Sequence, residues 1–192
     1  MPWLIVILGY LIGSIPTAYI IGRALKGVDI RQIGDGNMGA ANTFRQLGPK
    51  AGVTVGFIDA GKGAAAVLIA QATGLSLFAV LLTGVAAVIG HNWPAFLGFR
   101  GGRGEATTIG VLLVTITQPM LIMAIPAIAA HFILRDTTKA GAVLFVPLPL
   151  VCWLVGLSGA LIAYSIALPC LVGITHFLRT RWVAETSGTR RT

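Results

Sequence analysis

Apolar runs of membrane-crossing length punctuate the chain, and its charges fall almost wholly between them. Runs at 3–22, 51–72, 75–92, 106–118, 119–134, 141–156 and 158–178 read as seven helical spans. A helix needs about 20 apolar residues to cross the hydrocarbon layer, somewhat fewer where it is packed in a bundle or the bilayer is thin. Seven spans put segments 23–50, 93–105, 135–140 and 179–192 on one side, and the linkers at 73–74, 117–119 and 157 on the other. Of the 14 Lys and Arg residues, all but Lys62 lie in the first set and none in the second. Basic residues in short loops mark the cytoplasmic face, so the N-terminus is expected outside and the C-terminus inside. Asp29, Asp35, Glu105, Asp136 and Glu185 share that face, while Asp59 lies in the second span with Lys62. Topology thus accounts for most of the +8 net charge without nucleic acid as a partner. Charged residues are 10% of the chain, against about 25% in soluble domains. The expectation is an all-α integral membrane protein: a single seven-transmembrane-helix domain over 1–184 and a polar cytoplasmic tail over 185–192. Met1-Pro2-Trp3 lacks the basic start of a cleaved signal peptide, so the first helix is read as retained.

Three segments rich in small residues carry the candidate chemistry. "GDGNMGAANTFR" (34–45) offers glycines and asparagines whose backbone N–H groups can converge on an anion, with Arg45 as a planar cationic donor. A turn-rich topogenic connector explains that composition equally well. "DAGKG" (59–63) places Asp59 and Lys62 on one helix face about three turns into the second span. Charges there face a bundle interior or a watery cavity, as an ion pair or as part of an anion site. "GHNWPAFLGFRGGRGEATT" (90–108) ends one span at His91 and Asn92, then sets Arg100, Arg103 and three glycines directly before the next. Free N–H groups and the helix dipole favour an anion at such an N-terminus. The spacing matches neither a P-loop nor a dinucleotide fingerprint.

Elsewhere the signals are weaker. His131 reads as a packing residue, and His176 as a helix-end cation or a substrate contact. Three dispersed histidines make no metal set. Cys152 and Cys170, without a paired motif, read as small apolar core residues. No serine has the neighbours of an acyl-enzyme nucleophile. Three basic, glycine-rich segments on one face favour an anionic, phosphorylated substrate meeting the bilayer surface.

Over nearly its whole length the chain resembles the bacterial acyl-phosphate-dependent glycerol-3-phosphate acyltransferases. "GSIPTAYIIGR" with "DIRQIGDGNMGAANTFRQLG", then "DAGKG", then "GHNWPAFLGFRGGRGEAT" are similar to that family's three blocks in order and spacing. The resemblance implies a seven-helix enzyme of the inner membrane with its active site facing the cytoplasm. It would move an acyl group from acyl phosphate to the 1-hydroxyl of sn-glycerol 3-phosphate, giving lysophosphatidic acid, with no cofactor, metal or serine nucleophile. Its partners would be those two substrates and membrane lipids. The matched positions imply a site lined by Gly36, Asn37, Gly39, Asn42 and Arg45, by Lys62 with Asp59, and by His91, Asn92, Gly101, Gly102, Arg103 and Thr107. Arg135 and Thr138 match more loosely, and His176 completes the set.

The chain also departs from the family's pattern. Asp35 stands where a Ser is usual, Ala41 for a Thr, Arg103 for a Lys and Glu105 for an apolar residue, and the family's Asn after His176 is missing. A carboxylate beside two phosphates is electrostatically unfavourable. Asp35 is therefore turned away, protonated, or recruited to deprotonate the acceptor hydroxyl. The third option makes Asp35 a candidate catalytic residue with Arg103 and His91. The competing readings are an acyltransferase for another phosphorylated or polyol acceptor, and a transporter of a phosphorylated metabolite or lipid. Against transport stand the lack of an internal repeat and the uncharged outer linkers. A purely structural membrane protein would leave the three segments unexplained.

Overall fold

The computed structural model describes the backbone of residues 1–188, with side chains through Thr180. The chain forms helices α1 (Pro2–Gly13), α2 (Thr17–Lys26), α3 (Ala40–Leu47), α4 (Pro49–Ala72), α5 (Leu77–Asn92), α6 (Glu105–Thr115), α7 (Thr117–Leu134), α8 (Thr137–Phe145), α9 (Leu148–Leu154) and α10 (Gly159–Gly188). Among the described residues six stretches are long and apolar enough to cross a membrane: Pro2–Lys26, Pro49–Ala72, Leu77–Leu97, Thr117–Leu134, Thr137–Leu154 and Gly159–Thr180. The all-α membrane class follows from these.

Three expected spans take a different form. The first is broken at Ser14–Pro16, because Pro16 has no N–H to continue the α1 ladder and the chain restarts as α2. The fourth, expected over 106–118, is the 11-residue α6, about 16 Å long, which alone cannot cross a hydrocarbon layer of about 30 Å. The sixth is two helices, α8 and α9, parted before Pro147. At the C-terminus α10 runs through Gly188 with Pro169 inside it, so the first part of the expected tail is helical. Residues 189–192 lie outside the described residues.

Lipid is as apolar as a leucine side chain, so helices in it associate through close packing, small residues and polar contacts. The chain packs in that way. α1 lies on α5 through Gly9 and Gly13, and α4 lies on α6 through Gly63 and Gly110. A Cβ at Gly110 would overlap the Ala60 carbonyl, and one at Gly63 the Thr107 carbonyl. The main core joins Val67, Val88, Val111, Leu112, Leu148, Cys152 and Leu168. Tyr164 crosses it to donate to the Leu81 carbonyl at 2.9 Å, in space that Gly84 leaves open. Cys170 departs from its expected core position and is exposed on α10. A smaller cluster of Ala18, Ile30, Met38 and Val55 seats the 27–39 loop on α2 and α4. This loop and the one between α5 and α6 face each other across the end of the bundle.

Candidate active site

The break between α1 and α2 is filled by a buried polar cluster. Lys62 Nζ lies 2.8 Å from Asp59 Oδ1 and donates to the Ile15 carbonyl at 2.9 Å. Thr17 donates its hydroxyl to the same Asp59 oxygen at 3.0 Å, and His91 Nδ1 stands 3.6 Å from it. The side chains of Asp59 and Lys62 are 1% and 5% exposed. At the break the Ile15 carbonyl accepts both the Thr17 N–H at 3.0 Å and the Lys62 ammonium, and a proline-broken helix becomes tolerable in the bundle. The cavity beside these groups, of about 10 Å³, has room for roughly one water and none for a phosphate. Gly102 packs directly on the His91 ring, and a Cβ there would overlap it.

Beyond this floor opens a cavity of about 620 Å³ between the two loops and α10 at Leu178 and Arg179. Arg31, Asp35, Asn37, Arg100, Arg103 and Arg179 supply its polar wall. Gly36, at φ +68°, allows the reversal that turns the 34–37 backbone into that wall. Asp35 Oδ1 accepts the Asn37 N–H at 3.1 Å. Its Oδ2 lies 3.0 Å from Arg45 Nη2 and 3.5 Å from Arg103 Nη2. Asn42 is fully buried beneath the loop, donating to the carbonyls of Ile33 and Asn37 and accepting the Asp35 N–H. Asp29 caps the turn at 30–32 and pairs with Arg31 at 2.7 Å. That hydrogen-bonded guanidinium holds the Asp29 carboxyl below its ordinary range.

A second cavity, about 420 Å³, runs between α8, α9 and α10 and is walled by Phe145, Val146, Pro149, Ile166, Pro169 and Val172. Its polar end holds Arg103, Glu105, Thr138 and His176. Arg103 therefore belongs to both walls, with its guanidinium where the polar cavity meets the apolar one. Its Nε is buried without a partner.

The fold brings together Asp35, Gly36, Asn37, Gly101 and Arg103 around the polar cavity, with Arg45 reaching it through Asp35. His176 and Thr138 stand at the apolar cavity instead. Lys62, Asp59, His91 and Gly102 form the floor. Several expected lining residues serve elsewhere. Asn42 holds the loop from within. Gly39 is the residue before α3, and its carbonyl takes the Thr43 hydroxyl. Asn92 donates to Thr175 at 3.1 Å, fastening α5 to α10. Thr107 is fully buried against Gly63. Arg135 is exposed at the C-cap of α7, with φ +51°, and lines neither cavity.

Sequence reading missed Arg179, which donates to the Asn92 carbonyl at 2.6 Å and also to the Gly101 carbonyl. One α10 side chain thus pins both ends of the arginine-bearing loop. Its signal was a cation one turn beyond His176, read only as a topogenic charge. Thr17 was missed too, although a hydroxyl directly after a span-breaking proline was visible.

A polytopic membrane protein with an arginine-rich polar cavity opening onto an apolar groove is the class that this fold and site define. A family model described as glycerol-3-phosphate acyltransferase matches residues 3–183. Glycerol-3-phosphate acyltransferase 4 of Dehalococcoides mccartyi is 50% identical over 181 residues, covering 94% of this chain and 98% of that one. Glycerol-3-phosphate acyltransferase of a Synechococcus species is 38% identical over 178 residues, covering 90% and 86%. Crystal structures of PlsY (YgiH), an integral membrane glycerol 3-phosphate acyltransferase, superpose on this fold at 32% identity, covering 96% of this chain and 92% of theirs. The TM-score is 0.84 for the glycerol 3-phosphate form and 0.82 for the lysophosphatidic acid form. The chain belongs to the glycerol-3-phosphate acyltransferase family.

Proposed function

We propose that the protein transfers a fatty acyl group from acyl phosphate to the 1-hydroxyl of glycerol 3-phosphate, releasing lysophosphatidic acid and inorganic phosphate. Family membership carries the enzyme class, the acceptor and the product. The observation that carries the arrangement is the double position of Arg103, at the junction of polar cavity and apolar groove. Glycerol 3-phosphate is small and doubly charged, and it suits the arginine-lined cavity. The donor is an amphiphile whose chain suits the groove, while its mixed anhydride lies at the junction.

Little covalent chemistry is then asked of the protein. The acceptor hydroxyl attacks the acyl carbon, the bond from acyl carbon to phosphate oxygen breaks, and the departing phosphate takes the hydroxyl proton. The site contributes proximity and a fixed positive field at the developing oxyanion and leaving group. Arg103 and the 101–104 backbone act there. Arg45, Gly36 and Asn37 hold the acceptor phosphate, and His176 with Thr138 borders the donor head. Asp59, Lys62 and His91 fix the floor on which Gly102 rests. A base role for Asp35 fits poorly with a carboxylate whose two oxygens are both engaged.

The topology that suits this reading has seven crossings, with α6 and the glycine loop before it as the short fourth. The N-terminus is then outside and the cavity cytoplasmic, in the inner membrane of a bacterium. Purified protein in detergent, given palmitoyl phosphate and glycerol 3-phosphate, is expected to form 1-palmitoylglycerol 3-phosphate by mass spectrometry. No acyl product from this donor would overturn the proposed reaction. Product from palmitoyl-CoA alone would overturn the assignment of the donor.

A further inference from the structure

Asp35 is a carboxylate in a cavity suited to phosphate, and the loop holds it there from both sides. Its N–H is taken by Asn42 at 3.3 Å and its Oδ1 by the Asn37 N–H. Its Oδ2 then meets two guanidiniums from different parts of the chain, Arg45 on α3 and Arg103 before α6. Two cations converging on one oxyanion is also the contact a phosphate oxygen makes with arginines. The departures at 35 and 103 are thus partners in one contact. The fork of an arginine can share its donors between carboxylate and ligand, which an ammonium does less readily.

We propose that Asp35 is a resident counter-ion: it holds Arg45 and Arg103 in the empty enzyme, yields them to the phosphates of the two substrates, and reclaims Arg103 as inorganic phosphate departs and Arg45 as lysophosphatidic acid departs. This rests on the proposed reaction, which leaves a phosphate among arginines after every turnover. With Arg45 and Arg103 unopposed, that product would leave slowly. A tethered carboxylate competes for the same donors at a high effective concentration and repels the dianion beside it. The Asp35 side chain is 31% exposed, so it can swing toward water while phosphate occupies the arginines. The same competition weakens acceptor binding. Asp35 therefore raises the KM for glycerol 3-phosphate and limits inhibition by the phosphate product.

Asp35→Asn keeps the shape and removes the charge, and Asp35→Ser removes both. In each, Ki for inorganic phosphate is expected to fall about tenfold at low ionic strength, and KM for glycerol 3-phosphate to fall with it. Both changes shrink as salt is added. Phosphate-dependent thermal stabilisation of the purified variants is expected at about tenfold lower phosphate than for the wild type. An unchanged or raised Ki in both variants overturns the proposal, since Asp35 would then merely support the arginines. A collapse of kcat with Ki unchanged overturns it in favour of a base. The thermal measurement needs no turnover, so failure of the proposed reaction and failure of this inference are distinguishable.

Discussion

Replacing Lys62 by Met tests whether the buried ion pair is the keystone of the broken first span. The substitution leaves the Asp59 carboxylate, 1% exposed, with the Thr17 hydroxyl at 3.0 Å and His91 beyond hydrogen-bonding distance. It also leaves the Ile15 carbonyl with only the Thr17 N–H at 3.0 Å as donor. Stranding one partner of a buried pair costs about 3–5 kcal/mol, because the remaining charge is desolvated and unpaired. For a chain of 192 residues this corresponds to a melting temperature roughly 6–20 °C lower. Thermal unfolding in detergent measures it.

The double variant Asp59→Asn with Lys62→Met separates pairing from packing. It removes both charges, keeps an oxygen to accept from Thr17, and is expected to recover most of the stability lost in Lys62→Met. Residues in one network couple by about 0.5–3 kcal/mol, so the recovery is measurable. If Lys62→Met melts within about 2 °C of wild type, the keystone reasoning fails. It fails equally if the double variant is no more stable than the single. Activity adds a second readout, since in this structure the cavity beside Lys62 is small, about 10 Å³. The loss in Lys62→Met is expected to follow unfolding at the assay temperature, and a stable variant with no activity would make Lys62 a ligand-binding group.

Three further outcomes follow from the same geometry. Gly102→Ala pushes a methyl into the His91 ring and displaces the arginine-bearing loop, so kcat/KM is expected to fall about a hundredfold with helical circular dichroism unchanged. Arg179→Gln removes charged donors from the carbonyls of Asn92 and Gly101 and is expected to cost about 1.5–3 kcal/mol, read by thermal unfolding, with KM rising as the loop loosens. Asp29→Asn tests the carboxyl that Arg31 holds below its ordinary 3.8. A depressed carboxyl stabilises the fold fully above its unfolded value, and that contribution is lost as pH falls through the folded one. The variant is thus expected to melt below wild type at neutral pH, and the gap to close on acidification below 3.8.

The apolar runs made the helices legible, because period and length carry that information and the bilayer leaves few alternatives. Where helices break was less legible. A single proline at 16 reads as a small local fault, yet the Ile15 carbonyl at that break gives the buried ammonium of Lys62, 47 residues further along, its second partner. The motifs named candidate residues that the structure divides between the cavity walls and the packing beneath them. Gly39, Asn42, Asn92 and Thr107 look like anion-binding residues by type, whereas in this structure they line neither cavity and pack or hydrogen-bond within the fold. Spacing cannot separate those roles, since both require small or polar residues at the same bend. Nor does spacing reveal that positions 35 and 103, which differ from the family separately, meet in one salt bridge. Net charge in the cavity is a property of the assembled wall. An added carboxylate that looks hostile to phosphate in the sequence becomes, beside two arginines, a means of letting phosphate go.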